Sequence, residues 1–172
     1  MKKKVIGFSV SIILLMLIVF LFVACSKPKN RTIVEPYWYL LASPWKELDG
    51  NTGDKFAYAS ILKFSNDGEY ARVACGLTLQ KNGRIYIGRG DGWDIYLGTW
   101  SWKGDSLLIK SRMWYAMNSP LGYKYPTQNT EEIGVIDGNT LTLGKDKYAK
   151  GLIVDAKDVE YLINGAKTAR KE

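Results

Sequence analysis

From Tyr37 onward, apolar and polar residues alternate with period two, and the runs are separated by turn residues. This is the pattern of strands that bury one face. Tyr37 to Leu41 is an aromatic first strand ending near Ser43-Pro44, and residues 49–54, Asp-Gly-Asn-Thr-Gly-Asp, form a loop. Phe56, Tyr58, Leu62 and Phe64 alternate with small or polar neighbours up to a tight turn at Asn66-Asp67-Gly68. The strand Glu69 to Gln80 leads to Asn82-Gly83, a strong hairpin signal because both residues tolerate positive φ. A short strand, Arg84 to Arg89, precedes the turn Gly90-Asp91-Gly92. Trp93 to Trp102 places Tyr96, Gly98, Trp100 and Trp102 on one face and Trp93, Ile95, Leu97 and Thr99 on the other. Both faces are apolar, so the pattern does not choose between them for the interior. Lys103-Gly104-Asp105 turns into Ser106 to Met113, followed by a longer loop, Trp114 to Asn129. Thr130 to Ile136, the turn Asp137-Gly138-Asn139 and Thr140 to Gly144 make the last hairpin.

About eight strands with short connections predict an all-β domain over residues 35–172. The expected architecture is an antiparallel, up-and-down barrel, since closure removes the edges of a meander. Eight strands leave an interior just large enough for side chains or one small ligand. At the C-terminus the period changes. Asp155 can cap a helix, with Asp158 as an acidic partner three residues on, and Val159, Leu162 and Ile163 form a short apolar stripe. That stripe is expected to pack on the barrel, a partner-binding helix being the alternative.

The N-terminus is of another kind. Lys2, Lys3 and Lys4 precede an uncharged run of 20 residues, Val5 to Ala24, long enough as a helix to reach roughly 30 Å across a hydrocarbon core. A signal peptide and an uncleaved anchor are the two readings, and both place the rest of the chain outside the cell. The run ends Leu21-Phe22-Val23-Ala24-Cys25, which resembles the lipobox of bacterial lipoproteins. The resemblance implies a signal peptide at residues 1–24, palmitate or another acyl chain on Cys25, and a tether over 25–34. The protein would then sit on the membrane through its N-terminal lipid. Because Ser26 stands where an Asp would retain it, the destination is the outer membrane in a cell that has one, and otherwise the outer face of the plasma membrane.

Charge and composition narrow the picture. The chain has 172 residues and a formal charge of +7, of which three units belong to the lysines of the leader. The remaining basic excess is mild, and nucleic acid is not an expected partner. There is no histidine, which excludes Ser-His-Asp and Cys-His catalysis, HExxH metal sites and an axial haem histidine within this chain. With Cys25 lipidated, the second cysteine, Cys75, has no partner; it alternates with Val73, Leu77 and Leu79 and reads as a buried small side chain.

Three segments carry a second resemblance: Phe64-Ser65-Asn66-Asp67-Gly68-Glu69-Tyr70, Leu97-Gly98-Thr99-Trp100-Ser101-Trp102, and Gly104-Asp105-Ser106-Leu107-Leu108-Ile109. Together they resemble the small lipocalin-like domains of bacterial lipoproteins, over about residues 35–145. The resemblance implies a calyx-like barrel and an apolar ligand, and it supplies no catalytic residue.

The residues themselves point to aromatic surface as the only concentrated chemistry. Tyr86, Tyr96, Trp100 and Trp102 fall on like-facing alternate positions of neighbouring strands, with Arg72 and Arg112 either beside them or facing solvent. Aromatic walls with one or two cations suit an amphipathic ligand with an acidic head; the competing reading is simple core packing. Other motifs carry less. Gly88-Arg89-Gly90-Asp91-Gly92 lacks the third glycine and the following helix of a phosphate loop, and its Arg-Gly-Asp tripeptide is explained by the turn. The loop at 49–54 has Gly53 and Asp54 where a calcium loop needs a ligand and a glycine, so no metal is expected. Glu131 and Glu132 are adjacent on a strand, point to opposite faces and make a poor catalytic pair. No cofactor and no enzymatic activity are expected. Two functions remain: a carrier of a small apolar or amphipathic ligand, and an envelope protein-interaction or inhibitor module with a filled barrel. The second would use the aromatics Trp114, Tyr115, Tyr123 and Tyr125 of the long loop.

Overall fold

A computed structural model describes residues 33, 36–48, 52–88, 92–116 and 129–169. The leader with Cys25, most of the tether, the tip of the 49–54 loop, the Arg-Gly-Asp tripeptide and the long loop's Tyr123 and Tyr125 lie outside them. In chain order the elements are β1 (Tyr37–Leu41), β2 (Lys46–Glu47), β3 (Lys55–Phe64), β4 (Glu69–Leu79), β5 (Ile85–Ile87), β6 (Trp93–Lys103), β7 (Ser106–Ala116), β8 (Thr130–Asp137), β9 (Thr140–Leu143), β10 (Asp146–Lys150) and the helix α1 (Ala156–Ala169). No helix among the described residues is long and apolar enough to cross a membrane.

Eight strands close into an antiparallel ring in the order β1-β3-β4-β6-β7-β8-β9-β10, with β10 returning to β1. The expected closed barrel with a C-terminal helix is therefore the fold. Its staves differ from the expected set in one exchange. The short strand at Ile85–Ile87 pairs only with the upper end of β4, from Leu77 to Leu79, and stands on the rim. The eighth stave is instead β10, whose register runs Asp146↔Leu143 to Ala149↔Thr140. Likewise β2 pairs only with the start of β3.

The tight turns form where glycine supplies positive φ, as at Gly68 (φ 87°) and Gly83 (φ 85°). Asp67 Oδ1 accepts the Glu69 N–H, and Asn82 Oδ1 accepts the Arg84 N–H. Gly98 serves another purpose. A Cβ there would lie 1.9 Å from the Lys110 carbonyl oxygen, so the close approach of β6 to β7, next to a register shift at Ile95/Tyr96, requires its absence.

The two faces of β3, β4 and β6 are both buried, against different partners. Outward, Ala59, Ile61, Ala71, Val73, Cys75, Leu77, Ile95 and Leu97 pack under Val159, Leu162, Ile163 and Ala166 of α1. Each large side chain removed from water here contributes roughly 1.5–3 kcal/mol. Burial pushes the Cys75 thiol up to about 12, consistent with a packing role. Asp155 caps the helix by accepting the Lys157 N–H at 2.9 Å. Glu160 accepts a hydrogen bond from Tyr37 and pairs with Lys63 at 2.5 Å, and Lys167 pairs with Glu69, so the helix is also held by charge. Inward lies a second core, which places the functional candidates.

Candidate ligand site inside the barrel

The inward face of β6 is the one carrying Tyr96, Gly98, Trp100 and Trp102. It meets the inward residues of β4 and β7 in register: Tyr70 opposite Gly98, Arg72 opposite Tyr96, and Ile109 opposite Trp100. The barrel interior is divided along its axis. The lower end is bounded by the turns at 65–68, 104–105 and 138–139. Its core contains Ile33, Trp38, Leu62, Phe64, Tyr70, Leu107, Ile109, Leu141, Leu143 and Tyr148, with Trp100 and Trp102 packed against it. Phe64 and Trp100 meet edge-to-face at 5.8 Å, and Trp100 and Trp102 at 6.3 Å. Trp100 Nε1 donates to the Ser65 carbonyl at 2.9 Å. Of the proposed aromatic wall, Trp100 and Trp102 thus serve as packing that seals this end.

One turn of alternation further along, the interior becomes polar. Arg72 is half-buried, and its Nε donates to Ser60 Oγ at 3.0 Å. Ser60 Oγ lies 3.3 Å from the hydroxyl of Tyr148, which reaches in from β10. The Arg72 guanidinium lies over the Tyr96 ring, 5.4 Å from its centroid. Asp94, on the same face as Tyr96, and Glu132, opposite Ile109 on β8, contribute negative charge. Burial alone would lower the Arg72 pKa, but Tyr148, Tyr70, Glu132 and Tyr96 around it reverse the sign and hold it charged. Burial raises the Asp94 carboxyl more than Arg72 lowers it.

Two inward donors near this level have no partner among the described residues. The Tyr70 hydroxyl and Trp38 Nε1 are both buried, and neither makes a hydrogen bond among the described groups. Above Arg72, β3 and β4 extend past their pairing with β1 and β6 and keep the same face parity. Phe56 and Tyr58 lie there, ring to ring at 4.8 Å, and Tyr58 is 52% exposed. Tyr86 stands opposite Thr78 on the same parity. It also borders a cleft of about 350 Å³ on the outer side, between β5, Trp93 and the α1 residues Asp158, Tyr161 and Leu162.

Of the six residues expected in a ligand site, Arg72 and Tyr96 are together, Tyr86 is at the rim, and Trp100 and Trp102 are in the sealed end. Arg112 is opposite Leu97, on the outward face. The alternatives left open by the sequence therefore divide: Arg72 is inside and Arg112 is outside. Glu131 and Glu132 point apart as expected, Glu131 pairing with Lys110 at 3.4 Å on the surface. Sequence reasoning missed Ser60, Tyr70, Asp94 and Tyr148. Tyr70 and Ser60 lay on a recognised strand face, and the inward parity shared with Arg72 was the available signal.

No family description, curated protein or solved structure matches this chain.

Proposed function

We propose that the chain is a lipid-anchored, extracytoplasmic binding protein that holds a small amphipathic ligand in the mouth of its barrel without transforming it. The observation that carries this reading is the half-buried Arg72. It stands inside the barrel between an apolar core and the stretch of β3 that carries Phe56 and Tyr58. A charged side chain kept inside a small barrel, where apolar residues of the same volume would be less costly, is better explained by a ligand than by stability. The lipocalin-like and lipobox resemblances agree with it. On this reading Cys25 carries the acyl chains, and the protein lies in the envelope, at the outer membrane or on the outer face of the plasma membrane.

Native mass spectrometry of gently purified protein tests the carrier reading: a co-purifying amphiphile is expected, and a bare chain from several growth conditions would count against it. The anchor is tested separately by Cys25→Ser, which should abolish acylation and leave the precursor uncut; normal release of the variant would reject the lipoprotein assignment. The alternative, an envelope protein-interaction or inhibitor module, draws on the exposed apolar residues Ile133 and Val135 on β8 and Tyr161 on α1. A single exposed-surface substitution series (Ile133→Ser, Val135→Ser, Tyr161→Ser) that removed a cross-linked envelope partner while leaving ligand content intact would favour it.

A further inference from the structure

Buried donors in a folded protein nearly always find acceptors, because an unpaired one forfeits its hydration. Around Arg72 the balance is uneven. Its Nε is satisfied by Ser60, while among the described residues no carboxylate forms an ion pair with its guanidinium. The Tyr70 hydroxyl, on a residue 2% exposed and one inward position from Arg72 along β4, has no partner among the described residues. Arg72, Tyr148 and Glu132 are its electrostatic neighbours there. Below this level the barrel is packed by Phe64, Trp100 and Leu107. Above it, the solvent-facing wall is aromatic.

We propose that the ligand's head is an oxyanion, a carboxylate or a phosphate, seated between the Arg72 guanidinium and the Tyr70 hydroxyl, with its apolar tail directed outward along Phe56 and Tyr58. This rests on the carrier reading and deepens it. The polarity of insertion follows from the packing: the sealed end admits no tail, so the head goes in first. The guanidinium offers two parallel N–H donors to an oxyanion, and Tyr70 adds a third from beneath. Asp94 and Glu132 oppose the same head by like charge, which sets affinity below that of an isolated arginine site. Neutralising Asp94 therefore strengthens binding.

The test is calorimetric titration of the intact chain in lipid nanodiscs with octanoate, octyl phosphate and octanol, empty nanodiscs serving as the blank. An oxyanion, or at least one of the two tested, should bind about tenfold or more tightly than octanol, as charge-assisted hydrogen bonds predict. Whichever oxyanion prevails names the head. Arg72→Met should bring the probes to parity, and Asp94→Asn should tighten the oxyanion without altering octanol. Tyr70→Phe guards against simple misfolding: removing an unpartnered hydroxyl should leave the unliganded fold as stable or more stable, yet weaken the oxyanion severalfold. Octanol binding as tightly as both oxyanions, or a preference that survives Arg72→Met, overturns the head assignment while leaving the carrier reading intact. Binding of no probe at all overturns both.

Discussion

At the end of the barrel bounded by the turns at 65–68, 104–105 and 138–139, the inward side chains are Phe64, Tyr70, Trp100, Trp102 and their aliphatic neighbours, with Phe64 and Trp102 each edge-to-face with Trp100. Toward the other end the same face presents Ser60, Arg72, Asp94 and Tyr96, with the hydroxyl of the core residue Tyr148 against Ser60. The inward parity of β3, β4 and β6 runs unbroken from one region to the other, so both belong to one face, while β7 carries a register shift opposite Ile95/Tyr96. They differ in depth. The aromatic end is close-packed and supplies stability. The polar end holds a half-buried charge, and the unpartnered Tyr70 hydroxyl and Trp38 Nε1 belong to the packed core beside it; such groups cost stability and gain significance only if something binds there.

The largest effect that would break this contrast is at the sealed end. Phe64→Ala removes a ring that touches both Tyr70 and Trp100, and should cost about 3–5 kcal/mol. Tyr96→Ala, half-buried at the polar end, should cost clearly less. Urea denaturation of the two variants side by side measures the difference, and equal losses would mean that the polar end is packed as tightly as the sealed one. Next comes Gly98→Ala at the junction. The added Cβ meets the Lys110 carbonyl and the Ser111 Cα, backbone atoms that cannot swing aside. A loss of about 3 kcal/mol is expected, together with disturbed β6–β7 amide protection by hydrogen exchange.

Much of this arrangement was legible in the sequence, and the failures have physical causes. Strand β6 showed its two faces plainly, but α1 covers the outer one, so Trp93-Ile95-Leu97 is as apolar as the interior and periodicity could not rank them. Strand β10 was missed because its inward positions are Asp146, Tyr148 and Lys150, only one of them apolar. The signal that remained was Gly144 and Gly151, both at positive φ, bracketing a strand-length segment. The short run at Ile85–Ile87 had better alternation and took β10's place in the expected count. For the site, like-facing aromatics were grouped by face alone. Periodicity gives the face of a side chain and not its depth, which is why Trp100 and Trp102 were grouped with Arg72 and Tyr96.

A smaller effect concerns the helix that hides the outer face. Burial alone would raise the Glu160 carboxyl, but hydrogen bonds from Lys63 and Tyr37 and the charges of Lys63 and Lys167 outweigh it, so its pKa lies below the ordinary value. A depressed carboxylate stabilises the fold fully above its unfolded pKa, and that contribution is lost as the pH falls through the folded pKa. Acid titration followed by near-ultraviolet circular dichroism should show α1 loosening as the pH drops below the ordinary glutamate range. Glu160→Gln should flatten that part of the curve while leaving the neutral-pH barrel signal in place. If the variant follows the wild-type acid curve, the ion pair does not hold the helix.

The smallest expected effect on stability is at the rim, and it sharpens the contrast most. Tyr58 is 52% exposed on the inward-parity side of β3, with its ring against Phe56. Exposed substitutions away from caps, cores and buried charges stay within about 0.5 kcal/mol, so Tyr58→Ser should leave the urea midpoint almost unchanged. Its ring has no partner that the fold needs. If the mouth receives an amphiphile's tail, the same substitution should weaken an eight-carbon probe several times more than a four-carbon probe with the same head, because only the longer tail reaches the aromatic wall. Equal weakening of both probes would place the tail elsewhere. A large loss of stability would mean that Tyr58 packs as part of the barrel, and that the open end is a second core in place of a mouth.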